Sequence, residues 1–205
     1  MLKYILITIG ILLAIIVVGF FFFINQEPNL SQFEYLKTPQ ITNKANQKVI
    51  LVKAFGEPEK TTAKAFKLLF NTYYKIKGVP KYPLPAPRAR WFAEPNTPEN
   101  QWAGYFAIPI PDNIKKNPEI NDNSGLTIEI TTWEYGDVAE ILYIGPYDKE
   151  VPTIEKLTNF IKKSGYEIAG PHEEEYLKGP SLFFHRDPKN FLTIIRYQIK
   201  KIIKN

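Results

Sequence analysis

The sequence predicts an α+β fold: a duplicated β-α-β-β unit whose antiparallel sheet carries two helices on one face, preceded by one N-terminal transmembrane helix. Two amphipathic helical patterns, each followed by strand-like runs, predict the two layers of the fold. Glycines and prolines at matching places in the two halves predict the duplication. An uncharged apolar run at the amino terminus predicts the transmembrane helix.

Residues 4–24 form the predicted anchor, because they include no charged side chain, no side-chain amide and no proline. At about 1.5 Å per residue this segment spans about 31 Å, the thickness of a bilayer's hydrocarbon core. A cleaved signal peptide is the alternative, but its apolar region is shorter, about 7–15 residues, and precedes a small-residue cleavage site. The run here ends in Phe20–Ile24 without such a site. We therefore assign residues 1–24 to an anchor that contacts the lipid bilayer through residues 4–24.

The charges beside the anchor indicate its orientation. Lys3 and the amino terminus precede the anchor, whereas Glu27 and Glu34 are the first charges after it. By the positive-inside rule we expect a single-pass membrane protein with its amino terminus in the cytoplasm and its domain extracytoplasmic. Residues 25–47, polar and interrupted by two prolines, are expected to form a stalk, and residues 48–205 the folded domain.

Composition excludes several kinds of site. The chain has no cysteine, which excludes disulfides, thiolate metal ligands and a cysteine nucleophile. With only two histidines, His172 and His185, a histidine-rich metal site is not expected, and we predict no metal and no cofactor. The 26 Lys and Arg residues are interleaved with 21 Asp and Glu residues, which is the pattern of a solvated surface. We therefore expect no nucleic-acid partner.

The first half of the domain is predicted to contain a strand, a helix and two further strands. Their predicted bounds are, in chain order, strand Lys48–Phe55, a helix between Pro58 and Gly78, strand Arg88–Glu94 and strand Ala103–Ile108. The apolar residues of the helix recur at helical spacing, namely Phe66, Leu69, Phe70, Tyr73 and Ile76.

The second half repeats this order after an additional strand. Its predicted elements are strand Leu126–Tyr135, strand Val138–Ile144, a helix between Pro152 and Gly165, strand Glu173–Leu177 and strand Phe191–Ile199. The turn residues Gly136-Asp137 between the first two strands predict a β-hairpin. The helix has proline in its first turn and glycine after its last, as the capping rules favour.

Matching turn residues indicate that the two halves are repeats. In each half a strand meets a glycine, a helix follows, a second glycine closes the helix, and a strand comes after a proline. The paired positions are Gly56 with Gly145, Gly78 with Gly165, and Pro87 with Pro171. The pattern predicts a duplicated β-α-β-β unit, with the second face of its sheet left open unless something fills it.

The second half also carries three motifs in a fixed order. They are Gly145-Pro146-Tyr147, Gly165-Tyr166-Glu167-Ile168-Ala169-Gly170-Pro171, and Glu174-Glu175-Tyr176-Leu177. This series resembles the GyrI-like small-molecule-binding family, the effector-binding domain of bacterial AraC-type and MerR-type regulators; the resemblance extends more weakly over residues 48–199. It implies the duplicated β-α-β-β fold, a cleft between the halves, and an aromatic-lined pocket that holds the glutamate of Glu-x-Tyr-Leu. In this chain that glutamate is Glu174, with Tyr176 beside it.

The residue pattern agrees with a binding role for Glu174. Residues two apart in a strand share a face, so Glu174 and Tyr176 point one way while Glu173 and Glu175 point the other. A carboxylate beside aromatic rings suits an organic cation. Three consecutive glutamates leave the register open, because a one-residue slip would place Glu173 or Glu175 in the pocket. The alternative is a solvated edge strand whose charges prevent aggregation.

Aromatic residues on the predicted strands are candidate pocket walls. Tyr143 and Trp91 rank first, because each lies on or next to a strand beside one of the paired motifs. Tyr105 is predicted to bind ligand with them, and Trp102 and Trp133 are further candidates. Aromatic residues of strands also form ordinary core, which is the alternative for each of them.

We therefore expect a membrane-anchored domain that binds or senses a small hydrophobic or cationic molecule, without a DNA-binding segment before it. One alternative is a hydrolase of small electrophilic molecules with Glu174 as general base or nucleophile; otherwise no catalytic residue is predicted. Another is haem or tetrapyrrole binding, because the SOUL-type haem-binding proteins share the duplicated architecture. His172 and His185 are the available axial ligands. The last alternative is a protein-interaction module without a pocket.

Overall fold

The domain is built from strands and helices in the second of two compact units of the chain. The units are Met1–Gln32 and Phe33–Asn205. The computed structural model describes residues 30–92, 97–116, 124–180 and 186–203.

Nine strands and two α-helices lie within the described residues. The strands are β1 (Gln40–Lys44), β2 (Gln47–Phe55), β3 (Arg88–Phe92), β4 (Ala103–Pro109), β5 (Ile128–Trp133), β6 (Gly136–Ile144), β7 (Tyr166–Ile168), β8 (His172–Lys178) and β9 (Leu192–Lys201). The α-helices are α1 (Pro58–Lys75) and α2 (Val151–Lys163). Short 3-10 helices are Leu30–Lys37, Glu99–Gln101, Tyr147–Lys149 and Pro188–Asn190.

Both α-helices have proline in the first turn, where the missing N–H breaks no intrahelical hydrogen bond. α1 buries residues at intervals of three and four, which form one amphipathic stripe: Ala65, Leu68, Leu69, Thr72 and Tyr73. α2 buries Leu157 and Ile161 and ends before Gly165, whose φ of +79° favours glycine. Both predicted helices are confirmed.

The strands form one antiparallel sheet in the order β1-β6-β9-β8-β3-β4-β2-β5, and β7 pairs with β9. The order is symmetric. If β1 is exchanged with β5, β2 with β6, β3 with β8 and β4 with β9, the same order is obtained, read from the other end. The pair β3–β8 lies at the centre, where the two halves meet. The predicted α+β class with an antiparallel sheet is confirmed, and the symmetric order is the one that a repeated β-α-β-β unit produces.

Both helices pack on the same face of the sheet, which we call the helix face. Residues directly opposite each other in an antiparallel pair share a face. Ala89 lies opposite Glu174, and Glu174 lies opposite Ile195. Ala89 belongs to the core under α1, and Ile195 belongs to the core under α2. Glu174 is therefore on the helix face, between the two helices.

Four strands form one ladder that connects the two edges of the sheet. Residues 40–44 pair with 136–140, and residues 47–52 pair with 128–133, in one unbroken register. β1 and β5 are the two edge strands of this order. Because β1 leads directly into β2 and β5 leads directly into β6, the shared ladder brings the two edges of the sheet next to each other, and the sheet is curved.

The predicted hairpin across Gly136-Asp137 is therefore wrong. β5 pairs with β2, and β6 pairs with β1 and β9. Between the two paired segments, the Asn46 side-chain oxygen accepts a hydrogen bond from the Tyr135 backbone N–H at 3.0 Å. Gly136, with a φ of +83°, lets the chain bend there without reversing.

The structure differs from the predicted stalk, residues 25–47, over the part that it describes. Residues Leu30–Lys37 form a 3-10 helix, and β1 and the first residue of β2 extend the sheet. Leu36 is 1% exposed and packs against Leu142 and Ile194. This apolar contact gives the segment a fixed position that its polar composition did not predict.

The predicted membrane localisation is corrected by the structure. No helix among the described residues is both long and apolar enough to cross a membrane. α1 has the length, but its exposed positions include Glu59, Lys60, Lys64 and Lys67. The predicted anchor itself, residues 4–24, lies outside the described residues.

A buried network of charges fills much of the second face, which we call the inner face. Arg196 on β9 is 1% exposed, and its guanidinium contacts three carboxylates. Nε lies 2.8 Å from Glu140, Nη1 lies 2.6 Å from Glu173, and Nη2 lies 3.0 Å from Glu175. A planar guanidinium with five donors suits this arrangement.

Two further arginines complete the network. Arg90 Nε donates to Glu173 at 2.7 Å, and Arg88 Nη2 lies 3.4 Å from Glu175. Burial opposes ionisation of Glu175, but the charges of Arg88 and Arg196 outweigh it and hold the pKa of Glu175 below its usual value. An apolar cluster lies on the same face and consists of Val49, Leu51, Ala107, Trp133, Tyr135 and Val138.

Arg196→Met should lower the free energy of unfolding by about 3–5 kcal/mol, because it leaves three buried carboxylates without their shared cation. Urea denaturation at pH 7 measures the change. Lys200→Met, the same substitution at an exposed position of β9, is the matched control and should change stability by less than about 0.5 kcal/mol. A loss below about 1 kcal/mol for Arg196→Met would contradict the structural role of the network.

Candidate functional site

The three consecutive glutamates of β8 divide between the two faces of the sheet. Glu173 and Glu175 point to the inner face, where Arg88, Arg90 and Arg196 bind them. Glu174 points to the helix face and is 6% exposed. The register that the sequence left open is therefore the one that aims Glu174 between the helices.

His172 and Tyr176 flank Glu174 on the same face of β8. His172 Nε2 lies 3.1 Å from Glu174 Oε1, and His172 Nδ1 lies 3.0 Å from the Tyr197 hydroxyl on β9. Burial by itself would lower the pKa of His172, but the hydrogen bond and charge of Glu174, with the charge of Glu150, raise it above its usual value. The helix face thus holds a carboxylate and an imidazole in direct contact.

Glu150 adds a second carboxylate from the turn that precedes α2. Its Oε1 lies 3.8 Å from His172 Nε2, and its Oε2 is buried without a hydrogen-bond partner among the described residues. Burial and the charge of Glu174 raise the pKa of Glu150 to about 8, against the opposing effect of His172. Glu150 is therefore partly protonated near neutral pH.

Aromatic rings from both halves border this cluster. The Tyr176 ring packs edge-on against Tyr147 at 5.5 Å and against Phe66 of α1 at 5.8 Å, measured between centroids. Tyr147 also contacts Phe191 at 5.3 Å. Burial, together with the nearby carboxylates, raises the pKa of Tyr147 and Tyr176, and that of Tyr197 to about 12. These phenols keep their protons at pH 7 and can donate hydrogen bonds.

Four of the five predicted ligand-binding residues lie on the helix face, namely Glu174, Tyr176, Trp91 and Tyr143. The fifth, Tyr105, does not. Trp91 lies opposite His172 and packs against Trp102 and Phe106. Tyr143 lies in the core under α2, and its hydroxyl donates to the Pro146 carbonyl at 2.8 Å.

Tyr105 lies on the inner face. It is opposite Arg90 and contacts the Phe92 ring at 4.5 Å. Trp133, a further candidate wall, is also on the inner face, where the Arg90 guanidinium stacks 4.1 Å from its ring. Neither residue lies near Glu174. Successive side chains of a strand point to opposite faces, and both residues occupy positions that face the other side of the sheet. His185 lies outside the described residues.

Sequence reasoning did not select Glu150, Thr193 or Tyr197 as site residues. Tyr197 contacts His172 because of the register in which β8 and β9 pair, and this register cannot be predicted from the sequence of either strand. Glu150 reaches the cluster from a turn, so strand parity does not apply to it. Tyr147 did carry a signal, since it is part of the Gly145-Pro146-Tyr147 motif.

The fold defines a class of protein: α+β domains with an antiparallel sheet and two helices on one of its faces. The chain belongs to the GyrI-like family, because the family model of the GyrI-like small molecule binding domain matches residues 37–200. No curated protein matches the chain significantly.

Solved structures of similar fold include the following three. A hydrolase from Listeria innocua has 17% identity and a TM-score of 0.65, over 83% of this chain and 96% of that one. An uncharacterized conserved protein from Listeria innocua has 18% identity and a TM-score of 0.68, over 83% and 98%. The EcmrR C-terminal domain has 14% identity and a TM-score of 0.60, over 80% and 98%. At these identities the likeness shows the fold alone.

Glu150→Gln should remove a pH dependence of stability. The pKa of Glu150 is about 8 in the folded protein against an ordinary 4.5, so its contribution is present below pH 4.5 and is lost as the pH rises through 8. The wild type should therefore lose stability relative to Glu150→Gln between pH 5 and pH 8, by up to about 1.4 kcal/mol per pH unit. Urea denaturation across this range, in chelator-containing buffer, measures it.

The matched control is Glu155→Gln, an exposed glutamate of α2. Its stability should follow the wild-type pH profile. A Glu150→Gln profile parallel to the wild type would show that ionised Glu150 carries no penalty in the cleft.

Proposed function

We propose that the protein binds a small organic cation with an apolar or aromatic body, in the cleft between α1 and α2. The supporting observation is the position of Glu174. Its carboxylate is buried on the helix face, while the arginines of the network neutralise its neighbours Glu173 and Glu175 on the other face. Its ion-pair partner among the described residues is His172, whose charge depends on a proton, so a cationic ligand can supply a permanent charge beside this buried carboxylate.

The aromatic border supports the same class of ligand. Tyr147 and Phe66 both pack edge-on against Tyr176, which shares the helix face of β8 with Glu174, so rings from both halves lie in the region of the carboxylate. Ring faces attract positive charge through their quadrupole, with about 0.5–2 kcal/mol per contact depending on desolvation. The apolar body of the ligand would pack on the same rings.

Polar groups in the cleft favour a ligand with additional hydrogen-bonding atoms. Thr193 lies opposite Tyr176 on β9, and its hydroxyl is buried without a partner among the described residues. Buried polar atoms are normally hydrogen-bonded, so an unpaired hydroxyl is a candidate ligand contact. The protonated phenols of Tyr147 and Tyr176 can serve as donors in the same region.

Glu174→Gln should weaken the binding of benzyltrimethylammonium by about 10–100-fold, because a charge-assisted contact contributes about 1.5–3 kcal/mol. The neutral isostere neopentylbenzene has the same shape without the charge, so its affinity should change by less than about threefold. Tryptophan fluorescence reports both titrations, since Trp91 lies beside His172 on the helix face.

The control variant is Glu167→Gln, on the short exposed strand β7. It should leave both affinities unchanged. Equal affinity of the wild type for the cation and for its neutral isostere would contradict the proposal, as would an unchanged cation affinity in Glu174→Gln.

A hydrolase that uses the same pocket is the second candidate. The observation that favours it is the pairing of an acid and a base: Glu150, partly protonated near neutral pH, lies with Glu174 beside one imidazole. A carboxyl group that keeps its proton near neutral pH can act as a general acid, and the neighbouring glutamate and imidazole are candidate bases. Turnover of a strained electrophile such as an epoxide that disappears in both Glu174→Gln and Glu150→Gln would establish this candidate.

Haem binding through His172 has less support. The carboxylates of Glu174 and Glu150 lie 3.1 Å and 3.8 Å from His172 Nε2, in the space where a porphyrin ring would have to stand. The other ring nitrogen is held by Tyr197.

A further inference from the structure

The cleft contains a cluster of potential metal ligands from two parts of the fold. Glu150, His172 and Glu174 each present one ligand atom, and these atoms lie within 4.8 Å of one another. His172 Nε2 is 3.1 Å from Glu174 Oε1 and 3.8 Å from Glu150 Oε1. Ligand atoms bound at about 2.0–2.2 Å to one metal ion are separated by about 3–4 Å, so these positions need only small side-chain adjustments.

The elements that carry these residues fix them firmly. His172 and Glu174 are two apart in β8, which lies between β3 and β9, so both side chains project from one face of a paired strand. Glu150 immediately precedes α2, whose buried residues Leu157 and Ile161 hold the helix on the sheet. A site built on such elements is more precise than one on free loops.

His172 is oriented as a metal ligand would be. Its Nδ1 is hydrogen-bonded to the Tyr197 hydroxyl at 3.0 Å, and its Nε2 faces the two carboxylates. In metal sites the second ring nitrogen of a histidine ligand nearly always has such a partner, which sets the tautomer and the ring orientation. With the proton on Nδ1, the Nε2 lone pair points to the space between Glu150 and Glu174.

The charges of the cluster favour a divalent cation. Glu150 and Glu174 are both largely buried, and the ion pairs that they make among the described residues are with His172. Glu150 Oε2 is buried without a hydrogen-bond partner in the same part of the chain. A metal ion displaces the protons of its ligands, and the resulting two carboxylates and neutral imidazole carry a charge of −2, which a divalent ion would compensate at the point where the ligand atoms converge.

We propose that His172 Nε2, Glu150 and Glu174 bind a divalent transition-metal ion of the zinc type, with Tyr197 as the positioning residue. Calcium and magnesium suit the site poorly, because they prefer six or more oxygen ligands and the cluster has three ligands including an imidazole. One nitrogen and two carboxylates leave at least one coordination position open. A ligand with a donor atom could complete the coordination there.

This inference goes beyond the binding of an organic cation and changes the chemistry of the same cleft. In the metal-free protein Glu174 is available to a cationic ligand. With the metal bound, its charge is neutralised, and the open position selects a Lewis base such as a carboxylate or hydroxamate. Zinc should therefore compete with benzyltrimethylammonium for the cleft.

The experiment is a cobalt(II) titration of the chelator-treated full chain, with zinc(II) as competitor. Cobalt replaces zinc in such sites and gives visible absorption bands when it has four or five ligands. We expect one equivalent to bind, and zinc to displace it. His172→Gln should weaken binding at least 100-fold, because it removes the nitrogen ligand. Tyr197→Phe should weaken it about 10–100-fold, because it removes the partner that orients the imidazole.

His185→Gln is the matched control, since it removes the other histidine of the chain. Its cobalt affinity should equal that of the wild type. The metal site is overturned if cobalt gives no saturable bands with the wild type, if His172→Gln binds like the wild type, or if His185→Gln abolishes binding. Thermal denaturation adds a readout for any variant that is hard to purify, because zinc should raise the Tm of the wild type and not that of His172→Gln.

The two ligands separate this inference from the proposed function. The chelator-treated wild type, which has no metal bound, should still bind benzyltrimethylammonium. A wild type that binds cobalt but not the organic cation would overturn the proposed function alone. A wild type that binds the organic cation but not cobalt would overturn the metal site alone.

Discussion

The contact of Arg196 with three buried carboxylates is the interaction on which the site depends. Glu173 and Glu175, one residue before and one residue after Glu174, both bind this guanidinium on the inner face. A slip of β8 by one residue would move both to the helix face and leave Arg196 with Glu140 and at most Glu174 in place of its three carboxylates. The network thus makes the alternation of the three glutamates strict, and Glu174 is aimed between the helices as a consequence.

The two faces of one sheet consequently hold carboxylates in opposite electrostatic situations. On the inner face Glu140, Glu173 and Glu175 each have an arginine partner, and the pKa of Glu175 is lowered. On the helix face Glu150 and Glu174 share one histidine, and the pKa of Glu150 is raised to about 8. Charges that are compensated contribute to the fold, whereas charges that are not compensated are available to a ligand. This separation favours either an organic cation or a metal ion in the cleft.

The curled sheet explains why these faces differ. The ladder between residues 40–52 and 128–140 joins the two edges of the sheet, so the inner face is enclosed by strands. Polar groups enclosed there must find partners within the protein, which the arginine network supplies. On the helix face α1 and α2 pack over the two halves, and Glu174 of the central strand β8 lies between their cores.

The sequence by itself determined the two helices, the antiparallel α+β class, the parity of Glu174 and Tyr176, and the motif series that identifies the family, because these features are encoded by local periodicity and turn residues. Tertiary structure decided what depends on pairing between distant strands. The register of β8 against β9 places Tyr197 beside His172, and packing of α2 brings in Glu150. The parity of β4 against β3 carries Tyr105 to the inner face, and the long ladder replaces the expected hairpin and draws part of the expected stalk into the sheet. No local pattern contains these relations, since a strand's sequence gives which residues share a face but not which face becomes enclosed or which strand lies beside it.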